Sequence, residues 1–168
     1  MISEAYRQQL QTLHETVPTF GAGGTGTASA TKILELCDQY HTNDVLDYGC
    51  GKGALAGALS FPIQQYDPGI PGHADRPKPA DIVVCCDVLE HVEPEYLDAV
   101  LDDLMLLTVK AGHFAIALTP AQKHLPDGRN AHICLLPPSL WLDKLWKRFH
   151  VVSEEVDTNW LTVTVEPK

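Results

Sequence analysis

The stretch Val45-Leu46-Asp47-Tyr48-Gly49-Cys50-Gly51-Lys52-Gly53 decides how the rest of the chain is read. Asp44–Tyr48 has the length and apolar content of a short buried strand, and the glycines after Tyr48 turn the chain into the helical stretch Ala54–Leu59. Gly49-x-Gly51-x-x-Ala54 fits the dinucleotide fingerprint G-x-G-x-x-G/A, a weak signal by itself. Asp47, two positions before the first glycine, changes its meaning. A pyrophosphate on this loop meets a carboxylate of like charge, whereas a ligand with an ammonium group and no phosphate gains from it.

S-adenosylmethionine, with an α-ammonium and a cationic sulfur, is such a ligand. Two further acids fit it. Asp67 follows Asp47 by 20 residues at the end of the strand Ile63–Tyr66, where a carboxylate can accept from both ribose hydroxyls. Asp87 follows by another 20 at the end of the β-branched run Asp81–Cys86. In a parallel sheet the carboxyl ends of these strands share one edge, which brings the three acids to one crevice. The plain alternative is three unconnected turn or capping aspartates.

Working outward, residues 2–14 form a polar helix with Tyr6, Leu10 and Leu13 on one side, and the four glycines within 18–28 form a mobile loop. Ile33, Leu34 and Cys37 start a helix that ends near Tyr40. Residues 93–108 are an amphipathic helix, 113–118 a strand, 119–132 a polar loop and 138–148 a last helix. Residues 149–156 and 160–165 pair as an antiparallel hairpin through a turn at 157–159. The expected architecture is α/β: an open, mostly parallel sheet flanked by helices, with a C-terminal antiparallel hairpin. Residues 1–28 form an N-terminal helix and glycine-rich cap segment, and 29–168 a single domain.

Composition narrows the function. With 168 residues, 12 Lys+Arg and 22 Asp+Glu, the chain carries a formal charge of −10. That field repels a phosphate backbone, so bulk nucleic acid is not an expected partner. Sugars, nucleotides and other small polar molecules remain, and oligomeric state is not legible. Cys37, Cys50, Cys85, Cys86 and Cys134 are odd in number, two of them adjacent, with no CxxC pair. They suit neither a disulfide framework nor a zinc knuckle. No signal-peptide core opens the chain and no apolar run reaches a bilayer-spanning length, which gives a cytoplasmic expectation and no membrane partner.

Val45–Gly53, Tyr66-Asp67-Pro68 and Asp81-Ile82-Val83-Val84-Cys85-Cys86-Asp87-Val88-Leu89-Glu90-His91-Val92 together resemble the class I, Rossmann-type S-adenosylmethionine-dependent methyltransferases, over roughly residues 30–165. The stretch Pro120–His132 resembles a pattern of the small stand-alone members found in bacteria and their viruses. The resemblance implies a sheet of order 3-2-1-4-5-7-6 with strand 7 antiparallel, and S-adenosyl-L-methionine as cofactor. It implies that Asp47 and the loop residues Gly49, Cys50 and Gly51 face the methionine moiety. Asp67 then binds the ribose, Pro68 packs beside the adenine, and Asp87 sits near the methionine end. One departure stands out. Only 13 residues separate Asp67 from Asp81, too few for a helix, a third strand and a return, so that strand is short or missing. The adenine amino-group partner goes with it, leaving Asp75 as a substitute.

Methyl transfer is a displacement at an already activated carbon, so positioning supplies most of the acceleration and a base is optional. The loop 119–132 emerges at the same edge as the acids. It offers Arg129 and Asn130 as acceptor-binding residues and His132 as general base; the bland reading is a turn at Asp127-Gly128 whose polar groups bond their own backbone. His91 is a weaker base. Glu90, His91, His124 and His132 show no tight ligand spacing, so no metal is expected. Trp141 and Trp146, five apart, are core residues rather than a stacking platform. Two other functions compete: a non-catalytic module that binds S-adenosylmethionine, and a nicotinamide-type oxidoreductase that Asp47 disfavours.

Overall fold

A computed structural model describes residues 2–168. Its sheet has six strands: β1 (Val45–Tyr48), β2 (Gln64–Tyr66), β3 (Ala80–Cys86), β4 (Thr108–Ala117), β5 (Phe149–Val156) and β6 (Trp160–Pro167). Their order is β2-β1-β3-β4-β6-β5. The first four are parallel, and β6 lies antiparallel between β4 and β5. This is the methyltransferase order with its third strand absent, as the short span between Asp67 and Asp81 requires. A short 3-10 turn, Pro71–His73, takes its place.

Strand alternation assigns the two faces. Leu46, Tyr48, Val83, Cys85, Phe114 and Ile116 pack with α4 (Leu97–Leu107) and α5 (Pro138–Trp146). Val45, Ile82 and Val84 pack with α2 (Gly24–Gln39) and α3 (Ala54–Ala58). Trp141 is buried in the first of these cores, while Trp146 is half exposed. The helix α1 (Glu4–Thr16) buries Tyr6, Leu10 and Leu13 in a third, separate cluster with Phe20 and Leu125.

Three boundaries differ from the sequence reading. The glycine-rich segment is not loop to residue 28: α2 starts at Gly24, because its small residues let it close on α3, with Gly26 against Leu55. The cap segment therefore ends before that helix, not at residue 28. The helix expected from Glu93 starts at Leu97, since Glu93 and Pro94 form a separate turn closed by the Tyr96 amide on the Glu93 carbonyl. The strand expected from His113 begins at Thr108, directly where α4 ends. Among the described residues no helix is long and apolar enough to cross a membrane, and all five cysteines are unpaired.

Candidate active site

A cavity of about 480 Å³ opens at the carboxyl ends of β1 and β3, where the chain leaves β1 toward neighbours on opposite sides. The α1 helix and residues 19–21 roof it, and residues 120–123 with 131–132 form its far wall. Gly49, Gly51, Asp67, Pro68, Asp87 and His132 all line it.

The loop that enters the cavity has spent its amides internally. Gly49 and Cys50 N–H both donate to the Tyr66 carbonyl, Lys52 N–H to the Gly21 carbonyl and Gly53 N–H to the Cys50 carbonyl. The Gly51 N–H donates to Asp67 Oδ2 at 3.0 Å. A phosphate cradle needs free N–H groups aimed at the ligand, and residues 49–53 offer none. The glycines are required by close approach: a Cβ on Gly49 meets Val88 Cγ2 at 2.3 Å, and one on Gly51 meets the Gly21 carbonyl oxygen at 2.3 Å, both at positive φ.

The three acids separate into two roles. Asp67 is buried at the cavity wall, with its other oxygen accepting from the Gly69 N–H at 2.8 Å. Asp87 adopts a left-handed backbone, φ 63°, which aspartate tolerates better than most residues. Asp47 does not line the cavity. Alternation in β1 turns it with Val45 toward the α2 side, behind the loop, where burial and the Asp67 charge push its carboxyl up to about 7. Asp47 therefore makes no contact with the cavity.

Cys50 also stays behind the loop, its thiol directed at the Gly51 carbonyl, 3.6 Å away. Arg129 and Asn130 do not reach the cavity either. Arg129 is paired with Asp127 at 2.7 Å on the outer surface. Asn130 accepts from the Ala121 and His132 N–H groups and donates to the Ala121 carbonyl, so its amide staples the loop 119–132. Asp75 is exposed and away from the cavity.

His14, which the polar helix pattern gave no reason to single out, lines the cavity with Nε2 3.7 Å from Asp67 Oδ2. Burial lowers its pKa against the opposing pull of Asp67.

The other grouping that spacing concealed is Asp87, His91 and His132. The His91 Nδ1 is 2.8 Å from the Ala131 carbonyl and the His132 Nδ1 is 2.6 Å from the Thr119 carbonyl. A carbonyl only accepts, so both Nδ1 atoms carry the proton and both Nε2 atoms are turned inward. They face Asp87 Oδ1 at 3.8 and 3.7 Å, and the two rings meet edge to face at 4.7 Å. Burial opposes charge on both partners, but the pairing outweighs it: the Asp87 carboxyl is held well below the usual range and His132 is raised. Three groups able to hold a metal thus converge where none was expected, because Asp87 and His91 are brought together by a tight 3-10 turn and His132 arrives from 41 residues on.

No family profile and no curated protein matches the chain; solved structures do. The 1,6-didemethyltoxoflavin-N1-methyltransferase of Burkholderia thailandensis, bound to 1,6-didemethyltoxoflavin and S-adenosylhomocysteine, superposes with a TM-score of 0.65 at 15% identity, over 98% of this chain and 88% of that one. The N-methyltransferase NodS of Bradyrhizobium japonicum, bound to S-adenosylhomocysteine, gives 0.61 at 14% identity, over 96% and 98%. Magnesium protoporphyrin IX methyltransferase of Synechocystis, bound to S-adenosylmethionine, gives 0.57 at 14%, over 84% and 79%. The chain has the class I methyltransferase fold.

Proposed function

We propose that the protein is an S-adenosylmethionine-dependent methyltransferase acting on oxygen or nitrogen of a small or medium polar acceptor. The observation that carries this reading is the state of the glycine loop. With every amide from 49 to 53 bonded inside the protein and Asp67 anchored on one of them, the cradle is built against phosphate and for a cofactor whose polar handles are hydroxyls and an ammonium. Asp67 takes the ribose hydroxyls, Pro68 flanks the adenine, and the field of Asp47 with Asp87 favours the cationic methionine end. Gly49 and Gly51 give the backbone its close approach, and Cys50 supports the loop from behind.

His132 is the residue we assign to the acceptor, with Thr119 fixing its tautomer and orientation and Asp87 facing its Nε2. Arg129 and Asn130 contribute through the shape of the loop. Solved structures of the same fold hold small molecules, which favours a small-molecule acceptor over a macromolecule. The acidic surface argues against bulk nucleic acid, and five unpaired thiols suit the cytoplasm.

Calorimetry with S-adenosylmethionine and with NAD tests the cofactor. One-site binding of the first and none of the second is expected; the reverse overturns the assignment. Once an acceptor is found, His132→Ala should lower turnover by roughly 10²–10⁴ with cofactor affinity retained. Formation of S-adenosylhomocysteine with a methylated product separates an enzyme from a module that only binds.

A further inference from the structure

We propose that Asp87, His91 and His132 hold a divalent first-row transition-metal ion of the zinc class, its remaining coordination positions open to the cavity. The ligand atoms are His91 Nε2, His132 Nε2 and an Asp87 carboxylate oxygen, all within 4.8 Å of one another.

The separations decide between a proton and an ion as what lies among them. A proton shared between imidazole and carboxylate draws N and O to about 2.7–2.9 Å. Here the two gaps are 3.7 and 3.8 Å, beyond hydrogen-bond reach. Ligands about 2.0–2.2 Å from a central ion, at tetrahedral or octahedral angles, stand about 3–3.6 Å apart, so a small inward adjustment of the three side chains closes the shell.

The second shell is already in place. A ligating imidazole normally donates its other N–H to a carbonyl or carboxylate, which fixes the tautomer and the ring orientation. His91 does so to Ala131 and His132 to Thr119. Behind the cluster, Glu90 is fully buried; one oxygen accepts the Ala117 N–H and the other has no partner among the described residues. Its unpartnered oxygen leaves a buried polar acceptor unsatisfied beside the cluster, on the residue next to His91. Two imidazoles and one carboxylate select zinc, cobalt, nickel, manganese or iron over magnesium and calcium, which prefer all-oxygen shells.

The binding itself stands on this geometry; only its consequence for turnover rests on the methyl-transfer reading. An acceptor hydroxyl or amine taking an open position loses its proton to water more readily. Its lone pair then forms the bond to the methyl carbon while the carbon–sulfur electrons stay on sulfur, and S-adenosylhomocysteine leaves. His132 then serves the acceptor as a ligand instead of as a base.

The test uses the whole chain, stripped with a chelator and titrated with cobalt(II) alone, followed by displacement with zinc(II). One ion per chain is expected, with a visible cobalt spectrum typical of nitrogen and oxygen ligands. His91→Ala and, separately, His132→Asn should weaken uptake by more than about a hundredfold, while His124→Ala, an exposed histidine of the same loop, should leave it unchanged. Thermal melting and S-adenosylmethionine calorimetry on each variant show which have folded. A native protein that takes up no ion, or folded His91 and His132 variants that bind as the native does, overturns the site. Cofactor binding without metal uptake removes the metal and leaves the methyltransferase reading; metal uptake without cofactor binding does the opposite.

Discussion

The backbone N–H of Gly51 donates to Oδ2 of Asp67 at 3.0 Å, which makes the turn after β1 and the acid after β2 one unit. Asp67 holds the loop in shape before any ligand arrives, and its remaining lone pairs face the cavity. With Asp67 as the proposed ribose ligand, this one contact would couple cofactor recognition to loop geometry.

Asp67→Ala should therefore lose more than a ribose contact. Charge-assisted hydrogen bonds contribute about 1.5–3 kcal/mol, so S-adenosylmethionine affinity should fall roughly tenfold to a hundredfold. The freed Gly51 and Gly69 amides should also exchange faster with solvent deuterium. Calorimetry and amide exchange on the same variant read the two effects; unchanged affinity would place the ribose elsewhere.

Gly51→Ala should be more disruptive than its size implies. Its φ is 51°, a region that costs an alanine about 1–2 kcal/mol, and the new methyl group meets the Gly21 carbonyl at 2.3 Å. That carbonyl also accepts the Lys52 N–H, so the roof segment must shift away from the loop. Lowered melting temperature and faster proteolysis within residues 17–23 are the expected signs.

Asp47 makes the ligand-free protein pH-sensitive. Its folded pKa of about 7 lies above the unfolded value of about 3.9. Between those values the folded state holds the extra proton, so stability is full below about pH 4 and declines as pH rises toward 7. The loss is on the order of 4 kcal/mol, and Glu90, also raised to about 7 by burial, adds to the same window. Asp47→Asn should flatten part of this slope and raise the melting temperature at pH 8. It should also weaken S-adenosylmethionine binding, since the field that destabilises the empty protein is the one that attracts the cofactor's cations. Denaturation at pH 5 and pH 8 compares the slopes; a variant no more stable than the native protein at pH 8 contradicts the assignment.

What the sequence made legible follows from the range of the signals. Asp67, Asp87 and the glycine loop were readable because strand ends in a parallel sheet gather at one edge whatever lies between them. The missing strand was readable by counting. The start of α2 at Gly24 was not, since its first turns carry Gly, Thr, Ser and Ala and no apolar periodicity; its helicity comes from packing on α3. The turn of Asp47 away from the cavity depends on which face of β1 is covered, which four apolar-rich residues do not reveal. His14 and the pairing of His91 with His132 required three-dimensional closure, because one side comes from a helix or a short turn and the other from a distant segment.

Opening of the roof is one route for cofactor exchange, and its fastening is identifiable. The Ser3 Oγ accepts the Tyr6 N–H as the cap of α1. The Ser3 N–H and hydroxyl both donate to the Glu93 carboxylate at 2.7 Å, and the Tyr6 hydroxyl donates to the His91 carbonyl. Further attachments are the Lys52 contacts to the carbonyls of Val17, Pro18 and Gly21, the Lys123 contact to the Thr19 carbonyl, and the small cluster of Tyr6, Leu10, Leu13, Phe20 and Leu125, separate from the two cores on the sheet. Local opening of such a unit costs less than global unfolding. Ser3→Ala removes the cap and one of the two bonds to Glu93, lowering the opening cost by about 1–2 kcal/mol. Amides of α1 should then lose protection by roughly 5–30-fold while those of β3 and β4 keep theirs. Release of bound S-adenosylhomocysteine, followed by stopped-flow displacement, should accelerate by a similar factor if opening of α1 gates it. Faster exchange with an unchanged release rate would mean that the cofactor leaves by another route; unchanged exchange would mean that the contacts other than Ser3 hold the roof.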